Sequence, residues 1–375
     1  MSEADVHKGL VGVYADTSAI SKVMPESNSL TYRGYPVQEL AENCRFEEVV
    51  YLLWNGELPN RRELAAFEKA ERAERRISPK LRNAIADFPR RGHPMDAIRT
   101  AVSFMALEDP ETADNSEVAT RRKALRLLAR IPTAVAARHR LSHGQRVISP
   151  KPDLGFAANF FHLCFGRVPA SEVVKAFDVS LILYAEHTFN ASTFTARTVA
   201  STEADIHAAV TAAIAALKGP LHGGANEAVM RMLEEIGQPG RAHGWIDDRL
   251  DHRALVMGFG HRVYKSGDSR VPTMTRYAEQ VAAAVGDSRW MEISRIVAAE
   301  MLARKNIHPN LDFPTGPAYF LMGFEIPMFT PIFVASRLSG WAAHILEQAK
   351  DNRLIRPLSF YSGVAERPVV PIAER

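Results

Sequence analysis

Hydrophobic side chains recur every three or four positions along most of the chain, and the alternation typical of strands is scarce. From Ser171 to Tyr184 the apolar residues stand at helical spacing, with Ser171 placed to cap the start. A second apolar stripe follows Thr202, where Thr202 and Asp205 resemble a capping box and Gly219 suits a C-terminal stop. The pattern predicts an all-α protein.

Two short β-prone runs interrupt this pattern near the N-terminus. Val11–Tyr14 and Leu30–Tyr32 are flanked by Gly, Pro and Asn, which predicts a small β hairpin. Polar stretches at 108–116 and 149–153 predict loops. The chain has no low-complexity tract and no repeat with a period of about 20 to 50 residues, and its composition marks no linker between domains.

The composition is that of an ordinary globular protein. At 375 residues the chain suits one large domain or two packed domains. Its 46 basic and 43 acidic residues are too evenly balanced to indicate nucleic-acid binding. Cys44 and Cys164 have no CxxC partner, so we expect no disulfide framework and a reducing, cytoplasmic location. We expect no export signal and no membrane span, since the apolar run Ala208–Leu217 is shorter than the ~20 residues a span needs.

The segment Gly219–Glu227, GPLHGGANE, ends one predicted helix and begins another. His222 lies just before the second helix, whose partly positive N-terminus favours a neutral imidazole. Such an imidazole can donate one hydrogen bond to an enolate oxygen. A glycine-rich helix start with a solvent-facing histidine is the alternative, and the spacing alone leaves both open.

The segment Met257–Arg270, MGFGHRVYKSGDSR, combines two loop glycines with His261 and several cations. Glycines allow backbone amides to approach a ligand closely. The segment is not a dinucleotide fingerprint, because Val263 replaces the third glycine and no strand precedes it. Taken alone, a basic turn of this kind is more often a solvated loop than an anion site.

The segment Pro309–Gly316, PNLDFPTG, places Asp312 two residues before Pro314. The proline predicts an extended Phe313 and suits the first turn of the next helix. Asp312 is therefore expected near a helix N-terminus, where the ionised form is favoured and can act as a general base. A simple aspartate cap is the alternative.

Three arginines are candidate ligands for an anion. Arg337 interrupts the apolar face of a helix that has Pro331 in its first turn, and a buried arginine needs an anionic partner. Arg356 precedes Pro357 and is expected to be extended, with its side chain reaching outward to a neighbouring site or subunit. Arg270 ends the glycine-containing loop. Taken singly, each is also explained by a surface ion pair.

A metal site is a further alternative, because the chain has 13 histidines. His139 and His143 have the i, i+4 spacing of a zinc pair but lack the glutamate of HExxH. Arg138 and Arg140 beside them would repel a divalent cation. We therefore expect a polar cluster at a helix end, and no metal.

Five segments, in this order, resemble motifs of the citrate synthase family: AEHTFNAST (185–193), GPLHGGANE, GFGHRVYKSGDSR, PNLDF and RLIRP (353–357). The resemblance spans nearly the whole chain, and the GFGH…DSR stretch fits the family signature closely. Agreement of five separated motifs favours the functional interpretation of each segment over its structural alternative.

The resemblance implies the citrate synthase fold and a homodimer. Each chain would have a large helical domain, residues 1–224 and 325–375, and a smaller mobile helical domain, residues 225–324, that closes over the substrates. It implies no cofactor, because the CoA thioester is a substrate.

The resemblance also implies roles for individual residues. His222 would hydrogen-bond the thioester oxygen, Asp312 would remove the α-proton, and His261 would polarise and protonate the oxaloacetate carbonyl. Ser192, which follows Asn190 in the NAST run, would orient His222. Oxaloacetate oxygens would be held by a further set of side chains: His187, Arg270, Arg337 and, from the other subunit, Arg356.

For CoA, the resemblance implies that backbone lines the adenine pocket at Leu255, Val256, Met257, Gly258 and Phe259. Lys265 would face a CoA phosphate. Within the family, Asp312–Phe324 and the HPMDAIRT run near His93 resemble the 2-methylcitrate synthases of actinobacteria. This implies a preference for propionyl-CoA with acetyl-CoA also accepted, since one methylene is worth only ~1–3 kcal/mol in an apolar pocket. Pro314 departs from the residues common after this aspartate elsewhere in the family.

Two alternatives remain at this point. A housekeeping citrate synthase that prefers acetyl-CoA is the nearer one. A catalytically silent helical protein that binds CoA or a dicarboxylate is the other, and the joint presence of His222, His261 and Asp312 argues against it. The N-terminal extension of NADH-regulated hexameric relatives is not expected, so a dimer without that regulation is implied.

Overall fold

The N-terminal part of the chain forms a small antiparallel sheet. The computed structural model describes residues 6–261, 263–264 and 267–375. Its three strands are β1 Ser21–Met24, β2 Ser29–Tyr32 and β3 Tyr35–Pro36, in the order β1-β2-β3. The prediction of a strand at Leu30–Tyr32 is confirmed. The prediction for Val11–Tyr14 is wrong, because this run is exposed and irregular and β2 pairs instead with β1.

Most of the described chain is α-helical, as predicted. The helices are α1 Val37–Asn43, α2 Phe46–Asn55, α3 Arg61–Glu74, α4 Pro79–Asp87, α5 Pro94–Glu108, α6 Glu117–Ser142, α7 Phe156–Phe165, α8 Ser171–Tyr184, α9 Ala191–Ala200, α10 Ile206–Leu217, α11 Ala225–Ile236, α12 Ala242–Asp251, α13 Val271–Val285, α14 Arg289–Lys305, α15 Asp312–Leu321 and α16 Phe329–Lys350. In the described ranges, none of these helices has both the length and the apolar character required to cross a membrane.

The predicted helix boundaries are close, but two caps differ. α8 spans the predicted residues, yet Ala170 occupies the N-cap position and Ser171 is the first helical residue. α10 is capped by Asp205, whose carboxylate accepts hydrogen bonds from two backbone N–H groups of the first turn, and not by Thr202. Aspartate is among the strongest N-cap residues, which explains why it takes this position.

α16 forms the centre of the fold. It is buried along most of its length and packs against α2, α6, α8, α9 and α10. Trp341 on this helix is fully buried, and its indole N–H donates a hydrogen bond to Ser192 Oγ at 3.1 Å. The start of α9 is thereby fixed against the core.

Helices α11 to α15 pack mainly on one another, and α13 also packs on α8. A cluster of aromatic rings joins the end of α15 to α7 and α8: Phe160, Phe161, Phe177, Tyr319 and Phe324. α15 begins at Asp312, so Phe313 is helical and not extended as Pro314 suggested. The proline stands at the third helical position, where its missing N–H breaks no intrahelical hydrogen bond.

Candidate active site

A cleft of about 420 Å³ lies where the ends of α8, α9, α11, α15 and α16 meet. Seven of the residues predicted from the sequence line it: His187, Asn190, His222, His261, Arg270, Asp312 and Arg337. Ser192 lies behind His222 and hydrogen-bonds to it. Residues from four separate motifs are thus brought to one cavity.

His222 occupies the turn before α11, as expected. Burial is the main cause that lowers the pKa of His222 to about 4, and the positive charge of Arg337 contributes. The imidazole is therefore neutral at pH 7. The neutral ring was expected from the position before a helix N-terminus, and burial and Arg337 also favour it.

The hydrogen bonds of His222 decide which ring nitrogen carries the proton. The backbone N–H of Ser192 donates to His222 Nε2 at 3.2 Å, and Ser192 Oγ lies 2.8 Å from the same nitrogen. Because a backbone N–H can only donate, Nε2 must be the acceptor, and the proton is assigned to Nδ1. His222 thus retains one N–H donor that Ser192 does not occupy.

Ser192 is held in place by the core and by the cap of α9. Its hydroxyl accepts from Trp341 Nε1 at 3.1 Å and lies 2.9 Å from Asn190 Oδ1. Asn190 caps α9, because the same oxygen accepts from the Thr193 backbone N–H at 3.1 Å. Asn190 therefore both lines the cleft and anchors the serine that contacts His222.

His261 is oriented by its own loop. Its Nδ1 accepts hydrogen bonds from the backbone N–H groups of Val263 at 3.0 Å and Tyr264 at 3.3 Å. Burial, with Arg270 adding, lowers the pKa of His261 to about 4. The neutral ring therefore carries its proton on Nε2, and this second imidazole also offers an N–H donor.

The glycines of this loop are required by its conformation. Gly258 and Gly260 have φ angles of +82° and +79°. A Cβ at Gly258 would lie 2.6 Å from Val229 Cγ2 and 2.9 Å from Phe313 Cδ2. The backbone N–H of Gly260 donates to His308 O at 2.9 Å, which fixes the loop beside the segment that leads to Asp312.

Asp312 is the first residue of α15 and lies half-buried in the cleft wall. Burial raises the pKa of Asp312 to about 6, and a hydrogen bond from the Tyr184 hydroxyl, 2.6 Å from Oδ1, acts in the opposite direction. The helix N-terminus was expected to favour the ionised form of Asp312. Desolvation raises the pKa in spite of this, but at neutral pH the carboxylate is still mostly ionised.

Tyr184 is the site residue that the sequence analysis missed. It was counted with the apolar face of α8, which is correct for its ring, since the ring lies 4.2 Å from that of Phe333. A buried tyrosine hydroxyl usually needs a hydrogen-bond partner. That rule was the one signal available, and it does not identify Asp312, which lies 128 positions away in sequence.

The two buried arginines have different environments. Arg270 makes a bidentate ion pair with Asp268, at 2.9 Å and 2.7 Å, and this keeps its pKa above the usual value. Arg337 donates from Nε to Tyr184 O at 2.7 Å but has no carboxylate in hydrogen-bonding contact within the described chain. Burial lowers the pKa of Arg337 to about 10. A buried guanidinium of this kind is a ready site for an anion.

His187 completes the polar wall of the cleft. Its Nε2 is buried and finds no hydrogen-bond partner among the residues the structure describes. Burial lowers the pKa of His187 well below its usual value, and Arg270 and His261 add to this. The ring packs edge-on against His261 at 5.0 Å. His187 therefore contributes Nε2, a ring nitrogen unpaired within the described chain, to the cleft that Arg270 and Arg337 also line.

Some predicted residues do not line the cleft in this chain. Arg356 is exposed in the irregular segment after α16. Of the stretch predicted for CoA, Leu255 is 84% exposed, Gly258 is buried, and Val256, Met257 and Phe259 are half-buried. Lys265 lies outside the described residues.

The chain is similar to known proteins over most of its length. Residues 9–358 match the family sequence model for "Citrate synthase, C-terminal domain". A 2-methylcitrate synthase of Mycobacterium tuberculosis H37Rv is 56% identical over 363 residues, 97% of this chain and 92% of that protein. A citrate synthase of Mycolicibacterium smegmatis is 56% identical over 365 residues, 97% of each chain.

The fold is also similar to that of solved structures. A citrate synthase from the archaeon Thermoplasma acidophilum, described as a ternary complex with carboxymethyl coenzyme A and oxaloacetate, has a TM-score of 0.92 and 33% identity, with 99% of this chain and 100% of that chain covered. Because the family model matches most of the chain and relatives exceed half identity over nearly its full length, this protein belongs to the citrate synthase family.

Proposed function

We propose that the protein condenses propionyl-CoA with oxaloacetate and hydrolyses the product thioester, giving 2-methylcitrate and free CoA, with acetyl-CoA as a second substrate. One observation carries the proposal: the half-buried carboxylate of Asp312 shares the cleft with the imidazoles of His222 and His261, which each retain an N–H donor. The names of the relatives support propionyl-CoA, as four of those at 50–56% identity are 2-methylcitrate synthases.

In the first step Asp312 removes a proton from the carbon next to the thioester, and the electron pair moves to the thioester oxygen. His222 Nδ1–H donates to that oxygen, which stabilises the enolate as it forms. A general base is most effective when its pKa lies near the working pH. The raised pKa of Asp312 meets this requirement while leaving most of the carboxylate ionised at pH 7.

In the second step the enolate carbon attacks the keto carbon of oxaloacetate, and the keto oxygen becomes an alkoxide that is protonated. His261 supplies the N–H donor for this oxygen, since its Nδ1 is already occupied by the loop backbone. Water then cleaves the thioester, and CoA leaves as the thiol. Neutral imidazoles suit both steps, because a neutral ring can polarise a carbonyl by donating a hydrogen bond from its N–H.

Oxaloacetate carries two carboxylates, and the cleft offers cations for both. Arg337 has no carboxylate in hydrogen-bonding contact in the described chain, and Arg270 keeps Asp268 on one side. Planar guanidinium groups bind carboxylates with two parallel hydrogen bonds. His187 Nε2 adds a further polar contact. CoA is expected along Leu255–Phe259, with Lys265 toward a phosphate.

We further propose a homodimer in which Arg356 completes the cleft of the partner subunit. The segment after α16 extends from the body of the chain without burying its apolar side chains, for example Leu358 and Tyr361, which are 74% and 73% exposed. A second copy would cover such residues. Closure of a small domain, residues 225–324, over the substrates is supported by the packing of α11 to α15 mainly on one another.

The remaining expectations are also proposals. We expect no cofactor or catalytic metal, no nucleic-acid or membrane partner, and a place in propionate breakdown through a 2-methylcitrate cycle. A reducing cytoplasm fits Cys44 and Cys164, which are buried free thiols.

The proposal is tested by following thiol release from propionyl-CoA and from acetyl-CoA in the presence of oxaloacetate. A higher kcat/KM for propionyl-CoA supports it. A preference for acetyl-CoA above tenfold favours a housekeeping citrate synthase, the alternative that the equally similar Mycolicibacterium smegmatis protein represents. Release no faster than in Asp312→Asn with either thioester favours a silent binding protein.

A further inference from the structure

A second cavity, of about 370 Å³, shares no lining residue with the cleft. It is formed by the loop before α5, the end of α6 and the turn before α16. Two histidines of α6 and its C-cap, His139 and His143, face Glu325 there. Glu325 lies 182 positions after His143, which is why the sequence analysis found only a pair of histidines at this place.

The three side chains have the separations of a metal site. His143 Nε2 lies 2.9 Å from Glu325 Oε1, and His139 Nδ1 lies 3.9 Å from Glu325 Oε2. One ligand atom from each residue falls within 4.8 Å of the other two. Tetrahedral Zn²⁺ with bonds of about 2.0–2.2 Å separates its ligand atoms by about 3.3 Å. The two distances to Glu325 lie on either side of that spacing, and the Glu325 side chain is 52% exposed and thus free of close packing.

The hydrogen bonds of His143 assign different roles to its two ring nitrogens. His143 Nδ1 lies 2.8 Å from the backbone oxygen of His139, so it must be the donor nitrogen. Nε2 faces a carboxylate oxygen of Glu325 only 2.9 Å away. Two acceptors at this distance repel one another unless a proton or a metal ion lies between them.

We propose that His139, His143 and Glu325 bind one divalent transition-metal ion, with Zn²⁺ as the favoured ion and water in the fourth position. Two imidazoles and one carboxylate are typical zinc ligands, whereas Mg²⁺ and Ca²⁺ prefer oxygen ligands alone. His139 and His143 both lie at the end of α6, so one helix end supplies both nitrogen ligands. The site is separate from the catalytic cleft and from its reaction.

The neighbouring arginines do not oppose the ion as the sequence suggested. Arg138 donates to backbone oxygens of the loop before α5, among them Pro89 O at 2.8 Å. Arg140 donates to the backbone oxygens of Arg146 and Cys164. Both guanidinium groups are therefore directed to carbonyls and not to Glu325. The remaining cations of the cavity, Arg90 and Arg91, are exposed at its wall and screened by solvent.

An ion at this place would join the end of α6 to the turn that leads into α16. Any ligand that binds only the folded protein stabilises it. We therefore expect the Zn²⁺ ion bound by His139, His143 and Glu325 to raise the melting temperature without changing turnover of the condensation, because none of these residues lines the cleft.

The test is a calorimetric titration of the full-length protein with Zn²⁺ alone, together with absorption spectra after Co²⁺ addition. Glu325→Gln and His143→Gln should each bind one equivalent of Zn²⁺ fewer, or bind that equivalent with an affinity at least tenfold lower. Both variants should also lose the tetrahedral Co²⁺ bands. His252→Gln is the matched control. His252 is also an exposed imidazole beside a carboxylate, 3.3 Å from Asp248, but it is not paired there with a second histidine of the described chain.

Each outcome decides the matter. Loss of one equivalent in both site variants, with binding retained in His252→Gln, supports the site. Any Zn²⁺ that binds the histidines of the cleft would still bind in all three variants, so the titration distinguishes it from the ion at the proposed site. Equal binding in every variant, or no binding at all, overturns the proposal and leaves a protonated His143–Glu325 ion pair as the explanation of the geometry.

Discussion

Replacing Tyr184 by phenylalanine tests how the cleft sets the strength of its base. The change removes the hydroxyl that donates to Asp312 Oδ1 at 2.6 Å and leaves the ring beside Phe333. It therefore alters one hydrogen bond to the half-buried carboxylate of Asp312 while the packing of α8 is kept.

The expected effect follows from the energy of that bond. A hydrogen bond to a charged group contributes about 1.5–3 kcal/mol. Since about 1.4 kcal/mol corresponds to one pKa unit, the pKa of Asp312 should rise from about 6 to about 7–8. At pH 7 the ionised fraction would fall from about 90% to roughly 10–50%, so that kcat/KM falls roughly two- to tenfold.

The assay is the pH dependence of kcat/KM for thiol release from propionyl-CoA. The acid limb of Tyr184→Phe should move up by about 1–2 pH units, and activity should recover toward the wild-type value above pH 8. Tyr319→Phe is the control, because it removes another buried hydroxyl, one that lies 3.0 Å from Ser180 Oγ. An unmoved acid limb in Tyr184→Phe, or a loss that is the same at every pH, would refute the reasoning.

The other predictions concern orientation, charge and packing. Ser192→Ala should lower kcat by about tenfold with little change in the KM of either substrate, because His222 keeps only its backbone partner; an unchanged kcat counts against the orienting role. Arg337→Leu should chiefly raise the KM for oxaloacetate, and an unchanged KM contradicts its anchoring role. Lowering the pH from 6.5 to 4.5 should reduce the free energy of unfolding less in His222→Gln than in the wild-type protein. The pKa of His222 is lowered to about 4 in the folded state, so this imidazole contributes stability above pH 6.5 that is lost as the pH falls toward 4. Parallel pH curves of the two proteins in chemical denaturation refute this. Gly340→Ala should lower the melting temperature by several degrees, because a Cβ there would overlap Glu186 Oε2 and Ala185 O; an unchanged melting temperature would show that the helix shifts freely.

Much of the candidate site followed from the sequence because it lies at helix ends. Glycine and proline mark where helices stop, and His222 and Asp312 lie beside such marks, whereas His261 lies in the glycine-containing loop between α12 and α13. Periodicity predicted the extent of α8 and the C-terminal end of α10, but it placed the start of α10 about three residues too early, at Thr202 in place of Asp205. The segments were assigned to one active site because five motifs agree with one family. The spacing within each segment alone also allowed a purely structural interpretation.

The remaining features depend on tertiary contacts that no local pattern reports. The pairing of Tyr184 with Asp312 and the approach of Glu325 to His143 join residues from distant parts of the chain. The pKa of Asp312 depends on burial, which outweighs the helix N-terminus. Val11–Tyr14 has strand-forming residues but no strand beside it, and β propensity is realised only when a neighbour pairs and packs.

The proposed mechanism requires the carboxylate of Asp312 and the Nδ1–H of His222 to act on one thioester at the same time. A crystal structure of the protein with oxaloacetate and a non-hydrolysable propionyl-CoA analogue would show whether they do. We expect Asp312 to face the α-carbon, His222 Nδ1 to lie within hydrogen-bond distance of the thioester oxygen, and His261 Nε2 to lie at the keto oxygen. A ternary complex in which either His222 or Asp312 is turned away from the thioester would contradict it.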